Sequence, residues 1–151
     1  MISSVNRMLL MKGIDVESRD DNGNTPLINA AAYGFIEIVE MLLNHGAKIE
    51  GKDNKGLTSL YVACRKGLLP VVNLLINKGA NLDASGVNGW RPLHTAAYQG
   101  HLKIVKALIA KGANMNALEN YGRSALGIAR RKNHTKIVDF LRNRGAIDDG
   151  H

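Results

Sequence analysis

The residue types that most often carry chemistry in proteins are few in this chain. It has five histidines and one cysteine, Cys64, in 151 residues. Histidine and cysteine thiolate are the usual zinc ligands, and a zinc-binding helix places two histidines four residues apart. No two histidines have that spacing, since they stand at His45, His94, His101, His134 and His151. The sequence therefore predicts no metal site.

Cys64 and the glycines are the other candidates for chemistry. A nucleophilic cysteine needs a cationic or basic neighbour, and a phosphate-binding loop needs several glycines close together. Cys64 instead stands 33 residues after Ala31 and 33 before Ala97, in a series of small apolar residues, so we expect a buried thiol. The glycines are single and evenly spaced. We therefore expect no catalytic site, no cofactor and no enzymatic activity.

The spacing of the glycines shows how the chain is organised. One series recurs every 33 residues, at Gly23, Gly56, Gly89 and Gly122, and a second series does the same at Gly13, Gly46, Gly79, Gly112 and Gly145. The same step joins apolar positions, among them Leu27, Leu60, Leu93 and Leu126, and Leu42, Leu75, Leu108 and Leu141. A fixed period of this length indicates a repeat protein, in which each unit packs against the next.

Within one unit the residues predict two short helices. Thr25 is suited to cap a helix that begins at Pro26, because its hydroxyl accepts from a free backbone N–H and proline lacks one. Gly34 is suited to end that helix with a left-handed turn. The second helix carries apolar groups on two adjoining faces, which predicts contacts with its partner helix and with a neighbouring unit. Helices this short are unstable alone, so the units must stack.

The segments Thr25-Pro26-Leu27 and Arg91-Pro92-Leu93-His94, together with the period, resemble the ankyrin repeat. The resemblance covers almost the whole chain and implies an all-α solenoid of stacked helix-turn-helix units with projecting hairpin-like loops. It predicts one domain over residues 1–151, which begins with a half repeat at 1–18. Complete repeats at 19–51, 52–84 and 85–117 and a capping repeat at 118–150 follow.

The two ends depart from the repeat pattern. Residues 1–18 match only the second half of a unit, so either the chain is a piece of a longer array or a lone helix covers the first complete repeat. In the last unit Arg130, Arg142 and Asp148 replace apolar residues. A terminal repeat needs a wettable outer face, so these changes predict a C-terminal cap.

Composition and charge narrow the functional classes. The chain is 45% hydrophobic and 22% charged, has no apolar stretch of roughly 18 residues that would span a membrane, and has no secretory signal pattern. We expect an intracellular monomer, cytoplasmic or nuclear, with delivery into a host cell as an effector left open. Residues 1–53 carry a net charge of −3 and residues 54–151 a net charge of +10. The basic half favours an acidic partner, with nucleic acid or another polyanion as the alternative.

The resemblance also implies where a partner binds. In ankyrin proteins the hairpin loops and the exposed ends of the first helices form a concave face that binds other proteins. The matching positions predicted to contact a partner are Tyr33, Leu57, Arg65, Lys66, Trp90, Tyr98, Tyr121, Arg123, Arg131 and Lys132. We therefore predict a non-catalytic scaffold or adaptor for a protein with apolar anchors and an acidic surface, and such binding can regulate that protein.

Within this set, Trp90, Tyr98 and Tyr121 are predicted to form an aromatic ridge, because tryptophan, tyrosine and arginine dominate binding hot spots. The alternative is that these rings only cover neighbouring loops. Replacing Trp90 and Tyr98 by alanine is predicted to abolish binding with little change in the unfolding midpoint. The resemblance further implies a local hydrogen bond for His94, and it matches Asn116 to a loop asparagine that is hydroxylated in some ankyrin proteins.

Overall fold

The computed structural model describes residues 15–148, which fold into eight α-helices arranged in four helix-turn-helix pairs. The first helices are α1 (Pro26–Ala32), α3 (Ser59–Lys66), α5 (Pro92–Gln99) and α7 (Ala125–Arg131). The second helices are α2 (Ile36–Asn44), α4 (Leu69–Asn77), α6 (Leu102–Ala110) and α8 (Thr135–Asn143). No strand occurs between residues 15 and 148, so the predicted all-α repeat fold is confirmed. The predicted half repeat at 1–18 lies almost wholly outside the described residues.

Short polar side chains start three of the four first helices. The hydroxyl of Thr25 accepts a hydrogen bond from Ile28 N–H at 3.2 Å, and Thr58 and Ser124 cap α3 and α7 in the same way. Arg91 stands at this position before α5 and has no acceptor to offer, as the sequence predicted. Its own N–H instead donates to His94 Nδ1 at 3.0 Å, so part of the capping interaction is recovered by the histidine.

The helices form two rows that differ in how closely they pack. Small residues line the first helices, and Ala31, Ala63, Ala97 and Ala129 are fully buried between them. Successive first helices consequently approach each other more closely than successive second helices do, which curves the array towards the first helices. The concave face is therefore made by the first helices and the loops beside them. None of the described helices has the length and apolar character that crossing a bilayer requires.

The buried core runs without interruption along the array. Equivalent leucines of the four second helices, Leu42, Leu75, Leu108 and Leu141, are all buried, as are the valines three residues before them. Cys64 is fully buried in this core, as predicted, and burial raises the pKa of its thiol. Because the thiolate is the reactive form, a thiol held neutral by its apolar surroundings packs as a small apolar side chain.

A repeated hydrogen bond joins the loops of successive units. In each case a side-chain oxygen of one loop accepts from a backbone N–H located 31 residues later in the chain. Glu50 Oε2 accepts from Asn81 N–H at 2.7 Å, for example, and Asn116 Oδ1 accepts from Ile147 N–H at 2.8 Å. The complete set is Glu17 to Lys48, Glu50 to Asn81, Asp83 to Asn114, and Asn116 to Ile147. We call this set the loop ladder.

A second joint between units is made by two histidines. His101 Nε2 lies 3.2 Å from the carbonyl oxygen of Arg65, and His134 Nε2 lies 2.9 Å from that of Tyr98. Each histidine precedes a second helix and reaches the end of the first helix of the previous unit. The carbonyl groups at a helix end have no partner within the helix, so these side chains supply one. The positions of Arg65 and Tyr98 are thereby fixed by the following unit.

The last unit ends in charged interactions. Arg130 Nη1 lies 2.7 Å from Asp148 Oδ1, and Arg142 Nη2 lies 3.6 Å from Asp148 Oδ2. These three residues replace apolar ones in the repeat pattern, and the structure brings them together on the outer side of the terminal unit. This cluster of charges makes the outer side of the last described unit polar.

Candidate functional site

The loops carry a hairpin-like turn that an acidic side chain holds. In the first described loop, Asp20 N–H donates to Asn24 carbonyl oxygen at 3.0 Å, and the same bond recurs in the other three loops. Asp20 Oδ1 also accepts from the N–H groups of Asn22 and Asn24, both at 2.9 Å. Asp53 and Glu119 occupy the equivalent positions and bond in the same way. Each of these loop tips is therefore fixed from within.

The third loop lacks this acid, because Gly86 stands in its place. The chain there forms a short 3-10 turn, Val87–Gly89, with Asn88 in the left-handed region at φ 59°. Asparagine tolerates this conformation better than other side chains do. A Cβ at position 86 would lie only 2.5 Å from Leu57 Cδ2, so the glycine makes room for a side chain of the preceding loop.

Leu57 differs from the expectation that it lies free on the surface. Only 4% of it is exposed, and it belongs to a small apolar cluster with Ile28, Tyr61 and Val62. The space left by Gly86 explains this burial, since Leu57 fills it. Leu57 consequently supports the concave face from below, and its contact with a partner stays a prediction.

Trp90 is also less free than the sequence predicted. It is partly buried against the Leu57 cluster, and its ring lies edge-on to that of Tyr98, with the centroids 5.5 Å apart. Its Nε1–H donates to Glu119 Oε2 of the next loop at 3.2 Å. Loss of this packing and of this bond is expected to lower stability, so the earlier expectation of an unchanged midpoint for the Trp90 and Tyr98 double variant does not stand. Tyr98→Ala alone is the better test of binding.

Glu119 is the electrostatic centre of the fourth loop. It is almost fully buried, accepts from the N–H groups of Tyr121 and Arg123, and forms an ion pair with Arg123 Nη2 at 3.0 Å. Burial acts to raise the pKa of this carboxyl group, but the hydrogen bonds from Arg123 and Tyr121 outweigh it and hold the pKa below its ordinary value. Arg123, predicted to contact a partner, is thus already engaged within its own loop.

Tyr121 projects from the same loop and stays 66% exposed. The guanidinium carbon of Arg123 lies 5.4 Å from the centroid of its ring, which is a cation–π geometry. Trp90 and Tyr98 contact each other, but no ring contact joins either of them to Tyr121 within the described chain. Of the predicted ridge, the structure therefore brings two members together and leaves the third on a neighbouring loop tip.

At the ends of the first helices, two tyrosines each meet a cation from the following unit. Tyr33 is 69% exposed, and Lys66 Nζ lies 5.8 Å from its ring centroid. Tyr98 is 40% exposed, and Lys132 Nζ lies 4.6 Å from its ring centroid. The next residue back from each lysine is also basic, namely Arg65 and Arg131. These six residues form a row along the concave face.

A groove opens between the first two described units on this face. Its volume is about 410 Å³. Its walls include Tyr33 and Asn29 from one unit and Arg65, Lys66 and Asp53 from the other. Side chains of both signs, an exposed aromatic ring and a buried apolar floor therefore meet in one open depression. Such a surface is suited to a polypeptide, which carries charged and apolar groups together.

His94 makes the local hydrogen bonds that the resemblance implied. Nδ1 accepts from Arg91 N–H, and Nε2 lies 3.0 Å from the carbonyl oxygen of Ala117. This pattern places the ring proton on Nε2 of a neutral imidazole. Burial, which disfavours the charged form, lowers the pKa of His94. The ring consequently ties α5 to the loop of the next unit instead of facing solvent.

Metal ligands and Asn116 are the remaining candidates for chemistry. No group of three or more potential metal ligands occurs among residues 15–148. Asn116 accepts a hydrogen bond from Ile147 N–H, so its amide oxygen is part of the loop ladder.

Sequence reasoning missed several residues that shape the face. Glu119 was overlooked, although acidic residues recur at 33-residue steps in three of the four loops. The loop ladder also follows this period and was visible as a series of acidic or amide side chains. His101 and His134 stand one period apart, but the earlier units carry Leu68 and Phe35 at that position, so histidine forms no series along the whole chain.

Two comparisons with known proteins complete the picture. A family model of three tandem ankyrin repeats matches residues 2–86 and again residues 80–149. The search of curated proteins finds no match.

Proposed function

Because the chain belongs to the ankyrin repeat family, whose repeats generally mediate protein–protein interaction, we propose that it is a scaffold or adaptor that binds another protein on its concave face. The family is typically non-catalytic. A repeat array offers an extended surface and no enclosed pocket, which agrees with a binding role. Regulation of the bound protein is a consequence that such a scaffold can have.

The observation that carries this proposal is the exposure of aromatic side chains on an otherwise fixed face. Tyr33, Tyr98 and Tyr121 point away from the core, while the backbone that bears them is held by helix packing and loop hydrogen bonds. Tyrosine supplies a large contact area for little loss of conformational freedom. A rigid face that presents tyrosines together with basic side chains has the composition of a binding hot spot.

Nucleic-acid binding is less well supported by the same geometry. Exposed lysines of the second helices, Lys103, Lys106 and Lys136, lie on the opposite side of the array from Arg65 and Lys66. A nucleic-acid site gathers its cations along one path so that they contact successive phosphates. The division of the positive charge between two faces favours a protein partner.

Site-specific photocrosslinking tests the proposed face. A photoreactive phenylalanine analogue is placed singly at Tyr33, Tyr98 or Tyr121, and each variant is irradiated in a lysate of the source organism. We expect all three to capture the same protein, because they lie along one face. Mass spectrometry of the crosslinked band identifies that protein.

The matched controls carry the same analogue at Lys103 and Lys136, which are exposed on the second helices. Capture from these positions, with none from the three tyrosine positions, would place the partner on the convex side and reject the proposal. Circular dichroism of each variant before irradiation checks that the helical array is intact.

A further inference from the structure

The ends of the four first helices form an alternating row. In chain order the units present an aromatic, a cationic, an aromatic and a cationic surface: Ala32 and Tyr33, then Arg65 and Lys66, then Tyr98 and Gln99, then Arg131 and Lys132. The lysine of each cationic unit lies over the tyrosine of the preceding unit. We call this set the alternating row.

The four cations of the alternating row have no acidic partner in the described chain. Other arginines are used by the array, since Arg91 pairs with Asp83, Arg123 with Glu119, and Arg142 with Asp148. Between residues 15 and 148, no such pair is formed by Arg65, Lys66, Arg131 or Lys132. Lys66, Arg131 and Lys132 are exposed, so their charges are available to a ligand.

The arrangement favours discrete carboxylates over a continuous chain of phosphates. A single-stranded nucleic acid carries a charge at every nucleotide, whereas the cations here come in two pairs separated by the neutral Tyr98 and Gln99. Asp53 also lines the groove beside Lys66 and would repel a phosphate backbone that followed it. A peptide can place an acidic side chain at each cation pair and an apolar one at each tyrosine.

The spacing of the row specifies the ligand further. Packed helices lie about 8–10 Å apart, so equivalent backbone positions of successive units recur at about that interval. The lysine side chains lean from these positions towards the tyrosine ring of the preceding unit. A polyproline II segment has three residues per turn and rises about 3.1 Å per residue, so every third side chain points the same way at intervals of about 9.3 Å. A β-strand gives about 6.6 Å between side chains on one face, which does not match.

We infer that the alternating row binds a polyproline II segment of a partner protein in which apolar and acidic residues alternate at every third position. This inference rests on the proposed function and specifies its ligand. The apolar residues contact Tyr33 and Tyr98, and the acidic residues contact the cation pairs of the second and fourth described units. The segment runs across the repeats with one side chain per unit.

Synthetic peptides test this inference by fluorescence anisotropy at low ionic strength. The matched peptide has ten residues, with leucine at positions one and seven, glutamate at positions four and ten, and proline or serine elsewhere. A second peptide of the same composition places the four anchors at every second position. We expect the matched peptide to bind about tenfold more tightly, since only it reaches all four units in register. Equal affinity for the two peptides would overturn the inference.

Charge exchange separates recognition from loss of folding. The Arg65→Glu, Lys66→Glu double variant is expected to weaken binding of the matched peptide about tenfold. A peptide with lysine at position four is expected to restore binding to this variant, which misfolding does not allow. Lys103→Glu, Lys136→Glu is the matched control on the second helices and is expected to leave the affinity unchanged. Absence of rescue would contradict the inference.

Two further outcomes distinguish this inference from the proposed function. If an oligonucleotide or polyglutamate displaces the matched peptide as well as unlabelled peptide does, the row attracts polyanions without register and the inference is wrong. If the tyrosine positions crosslink a protein while neither peptide binds, the inference also fails and the scaffold function stands. If only the positions on the second helices crosslink a protein, both the inference and the proposed function are wrong.

Discussion

His94 shows how one residue replaces a missing cap and joins two units. Its neutral ring accepts from Arg91 N–H and bonds the carbonyl oxygen of Ala117, and its pKa is lowered by burial. The unfolded chain takes up a proton at this histidine at a higher pH than the folded chain does. The neutral ring therefore makes its full contribution to the free energy of unfolding above the ordinary histidine pKa, and this contribution decreases as the pH falls below that value.

This titration predicts a difference between the wild type and His94→Gln. Glutamine can donate to Ala117 and accept from Arg91 but does not titrate, so the free energy of unfolding of the variant should depend less on pH. The measurement is urea unfolding from about pH 7.5 down to pH 5. Parallel curves for the two proteins over this range would show that the buried ring is not the source of the pH dependence.

Glu119 leads to a prediction with a lower pH window. Its pKa is held below the ordinary value, mainly by Arg123, so the carboxylate stabilises the fold above the ordinary glutamate pKa and this contribution is lost as the pH falls through the folded-state value. Glu119→Gln is expected to cost about 1 kcal/mol at neutral pH and progressively less towards pH 3.

Trp90 makes this loss easy to observe, because it is the only tryptophan in the chain and its indole N–H bonds Glu119. Its fluorescence follows unfolding directly. Asp20→Asn is the matched control, since Asp20 holds the equivalent exposed turn in the first described loop, and a smaller effect is expected there. A cost for Glu119→Gln that is the same at pH 3 and pH 7 would contradict the assignment.

At the scale of the helix-turn-helix element, Gly100 combines two constraints. It adopts a left-handed conformation at φ 82°, and a Cβ there would lie 2.8 Å from Cε1 of the His134 ring. Gly46 is also left-handed, at φ 90°, but a Cβ there meets no atom within 4 Å. The two positions therefore separate backbone strain from crowding against the histidine that joins two units.

We expect Gly46→Ala to cost about 1–2 kcal/mol from backbone strain alone, and Gly100→Ala to cost more because the His134 ring must shift from the carbonyl of Tyr98. Thermal unfolding of both variants measures the difference. In a His134→Ala background the ring is absent, so Gly100→Ala should there lower the free energy of unfolding by about as much as Gly46→Ala does in the wild type. Equal midpoints for the two single variants would show that the His134 ring can shift without a loss of stability.

The helices were predictable from sequence because their determinants are local and periodic. Caps such as Thr25, apolar steps such as Leu42 to Leu75, and the left-handed turn at Gly34 follow from single residues and were all confirmed. The state of Leu57 was not predictable, because its burial depends on the absent side chain of Gly86 in the next loop. The Trp90 side chain is likewise held by a hydrogen bond to Glu119, one unit away.

The same distinction applies to the candidate site. Tyr33 and Tyr98 were identified from their positions in the repeat, and the structure shows both exposed. Their pairing with Lys66 and Lys132 joins residues one unit apart, which a single unit's pattern does not reveal. Whether any of these side chains contacts a partner stays a prediction for the crosslinking and peptide experiments.

For the whole molecule, the chain of neighbouring interfaces predicts how the array unfolds. Leu75 and Leu141 are equivalent and fully buried, but Leu75 lies in an interior unit and Leu141 in the last one. Substitution of either by alanine removes about 2–5 kcal/mol of local packing. In a linear array the terminal unit has one neighbour and is able to unfold while the others remain folded.

We therefore expect Leu141→Ala to produce an early, partial loss of helical signal, whereas Leu75→Ala lowers the midpoint of one cooperative transition. Circular dichroism at increasing urea concentration distinguishes the two, with Trp90 fluorescence as a probe of the interior unit. A single coincident transition by both probes in the Leu141 variant would show that the terminal unit does not unfold independently.

The loop ladder has a consequence for how such a chain can change length. Each joint uses the same backbone N–H and a side-chain oxygen at the same position, so the ladder bonds would form on both sides of a duplicated copy of residues 52–84. Asp53 of the second copy would, however, crowd Leu57 of the first, where Gly86 now leaves room. Insertion of that copy would add one cationic step to the row and move Tyr98 about 8–10 Å further from Tyr33. In evolutionary terms, each duplication of the gene segment that encodes one unit would lengthen the row of exposed side chains by one unit.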